Sequence, residues 1–153
     1  MAFKMLIIDD EIPERKGYGQ IEGRYPGVFE IETVRCYVSA EGERSACELL
    51  LSRAFDLILL DFSFNCQDEQ GFLIAIKIRK EAGPNQSAYL VGTSMSWDSV
   101  LVGAIARTLR KVPGSRALDG WTGKERDNAR GLFEELDKFL VSQGVDPAEV
   151  SRK

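Results

Sequence analysis

Residues 57 to 60, Leu-Ile-Leu-Leu, form an unbroken apolar run that ends directly on Asp61. A strand with one wet face would alternate polar and apolar residues; a run without alternation suits a parallel strand covered on both faces. FKMLIID (3–9) and SAYLVGT (87–93) have the same character, and FEIETVRCYV (29–38), FDLILLD (55–61) and SRALD (115–119) complete a set of five strands. Segments with helical spacing lie between them. Ala46, Leu49 and Leu50 share a face near 42–53; Val100, Leu101, Ala104, Ile105 and Leu109 share another; Leu132, Phe133, Leu136, Phe139 and Leu140 share a third. A first helix is placed at 13–24, although Gly17, Gly19 and Gly23 each cost roughly 1 kcal/mol there relative to Ala. Thr122 and Glu125 have capping-box spacing ahead of the last helix, and Ser96 with Asp98 can cap the one before it. Alternating strands and helices imply an α/β fold, a three-layer (βα)5 doubly wound sheet of five parallel strands.

At 153 residues the chain suits one domain that buries roughly 70% of its unfolded surface. Residues 1–141 are expected to form it, and SQGVDPAEVSRK (142–153) reads as a loose, flexible tail. With 20 basic against 24 acidic side chains and no basic block, direct nucleic-acid binding is not expected. No segment has the length and apolarity of a signal peptide or membrane span. Cys36, Cys47 and Cys66 are odd in number and lack a CxxC pair, which points away from a disulfide framework or zinc site and towards a reducing, cytoplasmic setting. There is no histidine. Ser/His/Asp triads, Cys/His pairs and His-ligated metals are thereby excluded, leaving carboxylates, hydroxyls and backbone groups.

In doubly wound sheets, ligands bind beyond the carboxyl ends of the strands. Asp9, Asp10 and Glu11 close the first strand, Asp61 the third, and Thr93 and Ser94 the fourth. Carboxylates converging on one edge repel one another unless a cation neutralises them. An oxygen-only ligand set suits magnesium, which takes one or two carboxylates and keeps several waters. A nearby hydroxyl and backbone amides suit a phosphoryl group, giving the setting for an aspartyl phosphate.

MLIIDDE, FDLILLD and VGTS, with GERSACELL as the second helix, resemble the receiver domain of response regulators in two-component signalling over residues 3–141. The acidic pair and an Asp closing the third strand about 50 residues later are the specific part of the likeness. The resemblance implies a flavodoxin-like strand order 2-1-3-4-5. It makes Asp61 the phosphoacceptor and Asp10 a direct Mg2+ ligand, with Asp9 holding the metal through water. The Ser63 backbone carbonyl becomes a further ligand, and Thr93 the hydroxyl that binds a phosphoryl oxygen and moves on phosphorylation. Departures stand beside these matches. Where the family has Lys-Pro after its fifth strand, SRALDG puts Asp119 and Gly120. Arg116 replaces the aromatic residue three positions earlier, and Lys124 falls five residues late.

The expected function is that of a stand-alone receiver taking a phosphoryl group on Asp61 from an external histidine kinase or phosphotransfer protein, with Mg2+. It would signal by association with a downstream protein target or as a homodimer, because about a dozen residues after the last helix are too few for an output domain. Its enzymology would be limited to weak hydrolysis of its own phosphate. The alternative is a pseudo-receiver that binds protein without phosphorylation, favoured by Asp119. A magnesium phosphohydrolase would want a general acid two residues past its nucleophile, where Ser63 stands.

Overall fold

The computed structural model describes residues 2–9, 16–35, 48–50, 52–61, 69–80, 83–94, 118–123 and 129–151. Five parallel strands, β1 (Phe3–Asp9), β2 (Phe29–Arg35), β3 (Leu57–Asp61), β4 (Tyr89–Ser94) and β5 (Gly120–Gly123), form one sheet in the order β2-β1-β3-β4-β5. The expected order and layering are both present. Around the sheet lie α1 (Lys16–Gly19), α2 (Ile21–Arg24), α3 (Glu69–Lys80), α4 (Arg130–Ser142) and α5 (Pro147–Val150), with a helical turn at 48–50. Residues 10–15, 36–47, 62–68 and 95–117 lie outside the described residues, and with them the helix expected at 100–109 and its caps. Among the described residues no helix is long and apolar enough to cross a membrane.

The apolar runs do what their lack of alternation requires. Leu6, Ile8, Ile58, Leu60 and Leu90 face one side and pack with Leu50, Phe55, Ile74, Ala75 and Ile78. Met5, Ile7, Leu57, Leu59 and Val91 face the other, against Ile21, Tyr25, Leu132, Leu136, Phe139 and Leu140. Each such side chain, fully removed from water, contributes roughly 1.5–3 kcal/mol before the entropy of ordering it is subtracted. β2, at the sheet margin, reverts to mixed polarity with exposed Glu30 and Thr33, which suits an unpaired edge.

The amino ends of the strands are tied by a repeated device. Asp56, one residue before β3, donates its backbone N–H to the Lys4 carbonyl, and its carboxylate accepts the Lys4 N–H at 2.8 Å. Asp119, one residue before β5, does the same to β4: its N–H donates to the Leu90 carbonyl and its Oδ2 accepts the Leu90 N–H at 2.8 Å. Asp56 is exposed and needs no counter-ion. Asp119 is mostly buried, and the fully buried Arg79 guanidinium reaches it at 3.1 Å while also donating to the carbonyls of Gln86 and Ala88. A buried Asn85 closes the same edge, accepting the Phe55 N–H and donating to the carbonyls of Leu50 and Arg53.

Three expectations are corrected here. Leu118 and Asp119 lie outside any strand, and the strand that completes the sheet follows Asp119 instead of ending on it. Leu118 is an apolar residue buried ahead of the strand, which is why SRALD mimics a strand end. Thr122 sits inside β5 and caps no helix; α4 begins only at Arg130, after Ala129. The segment after residue 141, expected as a loose tail, is structured through residue 151. Gly144 takes a left-handed conformation (φ 77°), the Val145 N–H returns to the Leu140 carbonyl, and Val145 and Val150 rest on the core. Asp146 caps α5 by accepting the Ala148 N–H.

Because removing one member of a buried ion pair strands the other, Asp119→Ala should cost about 3 kcal/mol, against about 1 kcal/mol for Asp56→Ala, in urea denaturation.

Candidate functional site

Side chains alternate across a strand, so the face each polar residue takes is set by its apolar neighbours. Asp9 follows Ile7, Asp61 follows Leu59, and Thr93 follows Val91, all on the α2/α4 side of the sheet. Register then lines them up. Ile8 pairs with Leu60, bringing Asp9 beside Asp61; Asp61 pairs with Thr93; Thr93 pairs with Thr122. Two carboxylates and two hydroxyls thus cross four adjacent strands in one row at their carboxyl ends. Asp9 and Asp61 are 0% exposed, and Thr93 is buried. Asp10, Ser63 and Glu11, the other proposed members of the acidic edge, lie outside the described residues.

One member of the site was not foreseen. Tyr18, in α1, donates its hydroxyl to Asp9 Oδ2 at 2.7 Å. Its backbone is brought close because Gly17 packs against Ala129 and Leu132 of α4, where an added β-carbon would come within 3.3 Å of the Ala129 methyl. Burial pushes the Tyr18 phenol well above its ordinary 10, the Asp9 charge and hydrogen bond raise it further, the Thr93 hydroxyl opposes them, and the Asp61 charge adds to the rise. The phenol is therefore a neutral donor set among Asp9, Asp61 and Thr93. Only sparse local signal marks it: an aromatic residue between two glycines in a segment read simply as a weak helix.

The donor set is oxygen alone. Two carboxylates on neighbouring strands suit a hard divalent cation that keeps part of its water shell. Thr93 Oγ1 is buried in the same row, and a hydroxyl there can donate to an acceptor oxygen. These residues fit Mg2+ and a phosphoryl group. Among the described residues no three acidic or cysteine side chains gather on one point.

The corrected β5 also changes what stands at the right of the site. Gly123 ends the strand opposite Ser94, so Lys124 is the next residue along the chain, and Trp121, 40% exposed, lies three positions before it. Asp119, which the sequence put at that position, is at the opposite end of the strand with Arg79.

Tyr25 carries a second buried phenol, away from the site. Burial first, then its hydrogen bond to Asp137 at 2.7 Å and the charge there, push it up, with Arg24 acting the other way. Spectrophotometric titration should therefore find two of the four tyrosines protonated well past pH 10. A raised folded value favours the neutral phenol, so this stability is intact below about pH 10, the unfolded value, and is lost as pH rises beyond it.

No protein-family model and no curated protein sequence matches the chain. Solved structures do match. A signal receiver domain of a two-component histidine kinase from Clostridium thermocellum superposes with a TM-score of 0.68 at 17% identity, covering 92% of this chain and 98% of its own. The chemotaxis response regulator CheY4 of Vibrio cholerae gives 0.66 at 18% identity, over 92% and 100%. The response regulator TrrA of Thermotoga maritima, in complex with Mg2+-BeF, gives 0.60 at 22% identity, over 92% and 100%. Each likeness spans 92% of this chain, and with its five parallel strands in the order β2-β1-β3-β4-β5 this chain has the fold of a response-regulator receiver domain.

Proposed function

We propose that the protein is a phosphoacceptor receiver, with Asp61 as the nucleophile. The observation that carries this reading is the placement of two fully buried carboxylates, Asp9 and Asp61, on neighbouring central strands, with the Thr93 hydroxyl in register one strand over. A phosphohistidine of a kinase or phosphotransfer protein is the donor, since this chain has no histidine. An Asp61 oxygen bonds to phosphorus, the P–N bond breaks, and the partner's imidazole leaves with a proton. Asp9, Asp10, Asp61 and the Ser63 carbonyl would hold Mg2+, which when bound offsets charge on the phosphoryl oxygens. Thr93 would donate to one of those oxygens.

Lys124 is assigned the cationic role that Asp119 could not fill, because it directly follows β5. Trp121 takes the place of the aromatic residue three positions before that lysine in the receivers the sequence resembles. Signalling would proceed by association with a protein target, as a monomer or a homodimer.

A second reading is a pseudo-receiver that binds protein without accepting phosphate. It is favoured by the complete burial of Asp61.

Incubation with Mg2+ and a small phosphodonor, followed by intact mass, separates the two. The expected result is a gain of one phosphoryl group that vanishes in Asp61→Asn. Lys124→Met should slow the gain on the order of 100-fold, the usual effect of removing one donor to developing charge. Beryllofluoride should alter the fluorescence of wild type and leave Asp61→Asn unchanged. Absence of any adduct in wild type would favour the pseudo-receiver.

A further inference from the structure

We infer that Tyr18 is a positioning residue for the cation site: its hydroxyl bond to Asp9 fixes the orientation in which that carboxylate meets a divalent cation. This rests on the proposed reading of Asp9 and Asp61 as a Mg2+ and phosphoryl site, and adds a residue that acts through Asp9 alone. The Tyr18 hydroxyl donates to Asp9 Oδ2 at 2.7 Å. An ionised carboxylate has about four lone-pair sites, so a bond to the phenol is compatible with a bond to a metal ion or its water.

Strand pairing and the hydrogen bond divide the work of placing that carboxylate. Asp9 ends β1 in register with Arg35 of β2 and is 0% exposed, so its backbone is set by the sheet. The pairing does not set the rotation of the side chain about its own torsions. A bond from a fixed donor restricts that rotation, and the donor here is fixed. Gly17, beside Tyr18, packs against Ala129 and Leu132 of α4, and Ile21 and Tyr25 just behind it are completely buried. Tyr18 thus lends Asp9 the rigidity of α4. Mg2+ makes this orientation matter, because it demands near-ideal octahedral geometry. Hydrogen bonds to ligating groups from residues that never touch the metal contribute to affinity in this way.

Calorimetric titration of the full chain with MgCl2 tests the inference. Tyr18→Phe keeps the ring and its packing and removes the hydroxyl. It should bind Mg2+ about tenfold more weakly than wild type, the low end of the usual loss when a metal ligand's hydrogen-bond partner is removed. Tyr25→Phe is the control for a merely structural effect, since it removes another buried phenol hydroxyl, bonded to Asp137 at 2.7 Å and away from the site. It should leave Mg2+ affinity unchanged even where thermal unfolding shows both variants equally destabilised. Equal or tighter Mg2+ binding by Tyr18→Phe, or an equal loss in Tyr25→Phe, overturns the positioning role; with binding present in wild type and lost in Asp61→Asn, the site reading stands without it. No Mg2+ binding by wild type overturns both.

Discussion

The Arg79–Asp119 pair decides where the fifth strand begins, and the composition of the functional edge follows from it. Asp119 binds both backbone groups of Leu90, one through its own N–H and one through its carboxylate, which leaves β5 a single register against β4. A buried carboxylate alone would be costly in that place. The Arg79 guanidinium, 0% exposed and also bonded to two carbonyls of the loop before β4, makes it tolerable. With β5 held at Gly120–Gly123, Thr122 comes beside Thr93 and Gly123 beside Ser94. A polar interaction at one edge of the sheet thus determines which side chains can meet at the other.

The two edges differ in what their polar groups engage. At the amino end, Asp56, Asn85, Arg79 and Asp119 are engaged with the backbone of neighbouring segments, each supplying a bond the parallel ladder leaves unmade at its start. At the carboxyl end, two buried carboxylates and two buried hydroxyls stand in one row across four strands. Between the edges, two apolar faces packed on both sides of β1, β3 and β4 keep the edges at a set spacing.

What could be read from the sequence follows the same division. β1, β3 and β4 were legible because burial on both faces writes itself as an apolar run, and Asp9, Asp61 and Thr93 were legible as the residues that end those runs. β5 was not. GWTG carries no apolar run, since its residues sit between a partner strand on one side and the close approach of α4 at Gly120 and Gly131, where glycine and not bulk is needed. The signal that did exist was positional: an aspartate immediately precedes β3, and by the same device Asp119 precedes β5. Arg79 was hidden in KIRK, which resembles a solvated helix end, and Tyr18 in a glycine-interrupted turn. Neither has a local pattern, because each gets its role from partners across the fold.

The interruption at Gln20 gives Tyr18 a mechanical setting. α1 is one turn long and stops before α2, whose Ile21 and the following Tyr25 are completely buried among aromatic rings and the last long helix. Gly19, at the joint, has no atom near its missing side chain. Gly17 seats this turn against Ala129 and Leu132, and Tyr25 anchors the turn behind it, so the phenol is held at a set height over the end of the sheet. One short turn thus joins the carboxyl end of β1 to the amino end of α4, two parts of the chain more than a hundred residues apart.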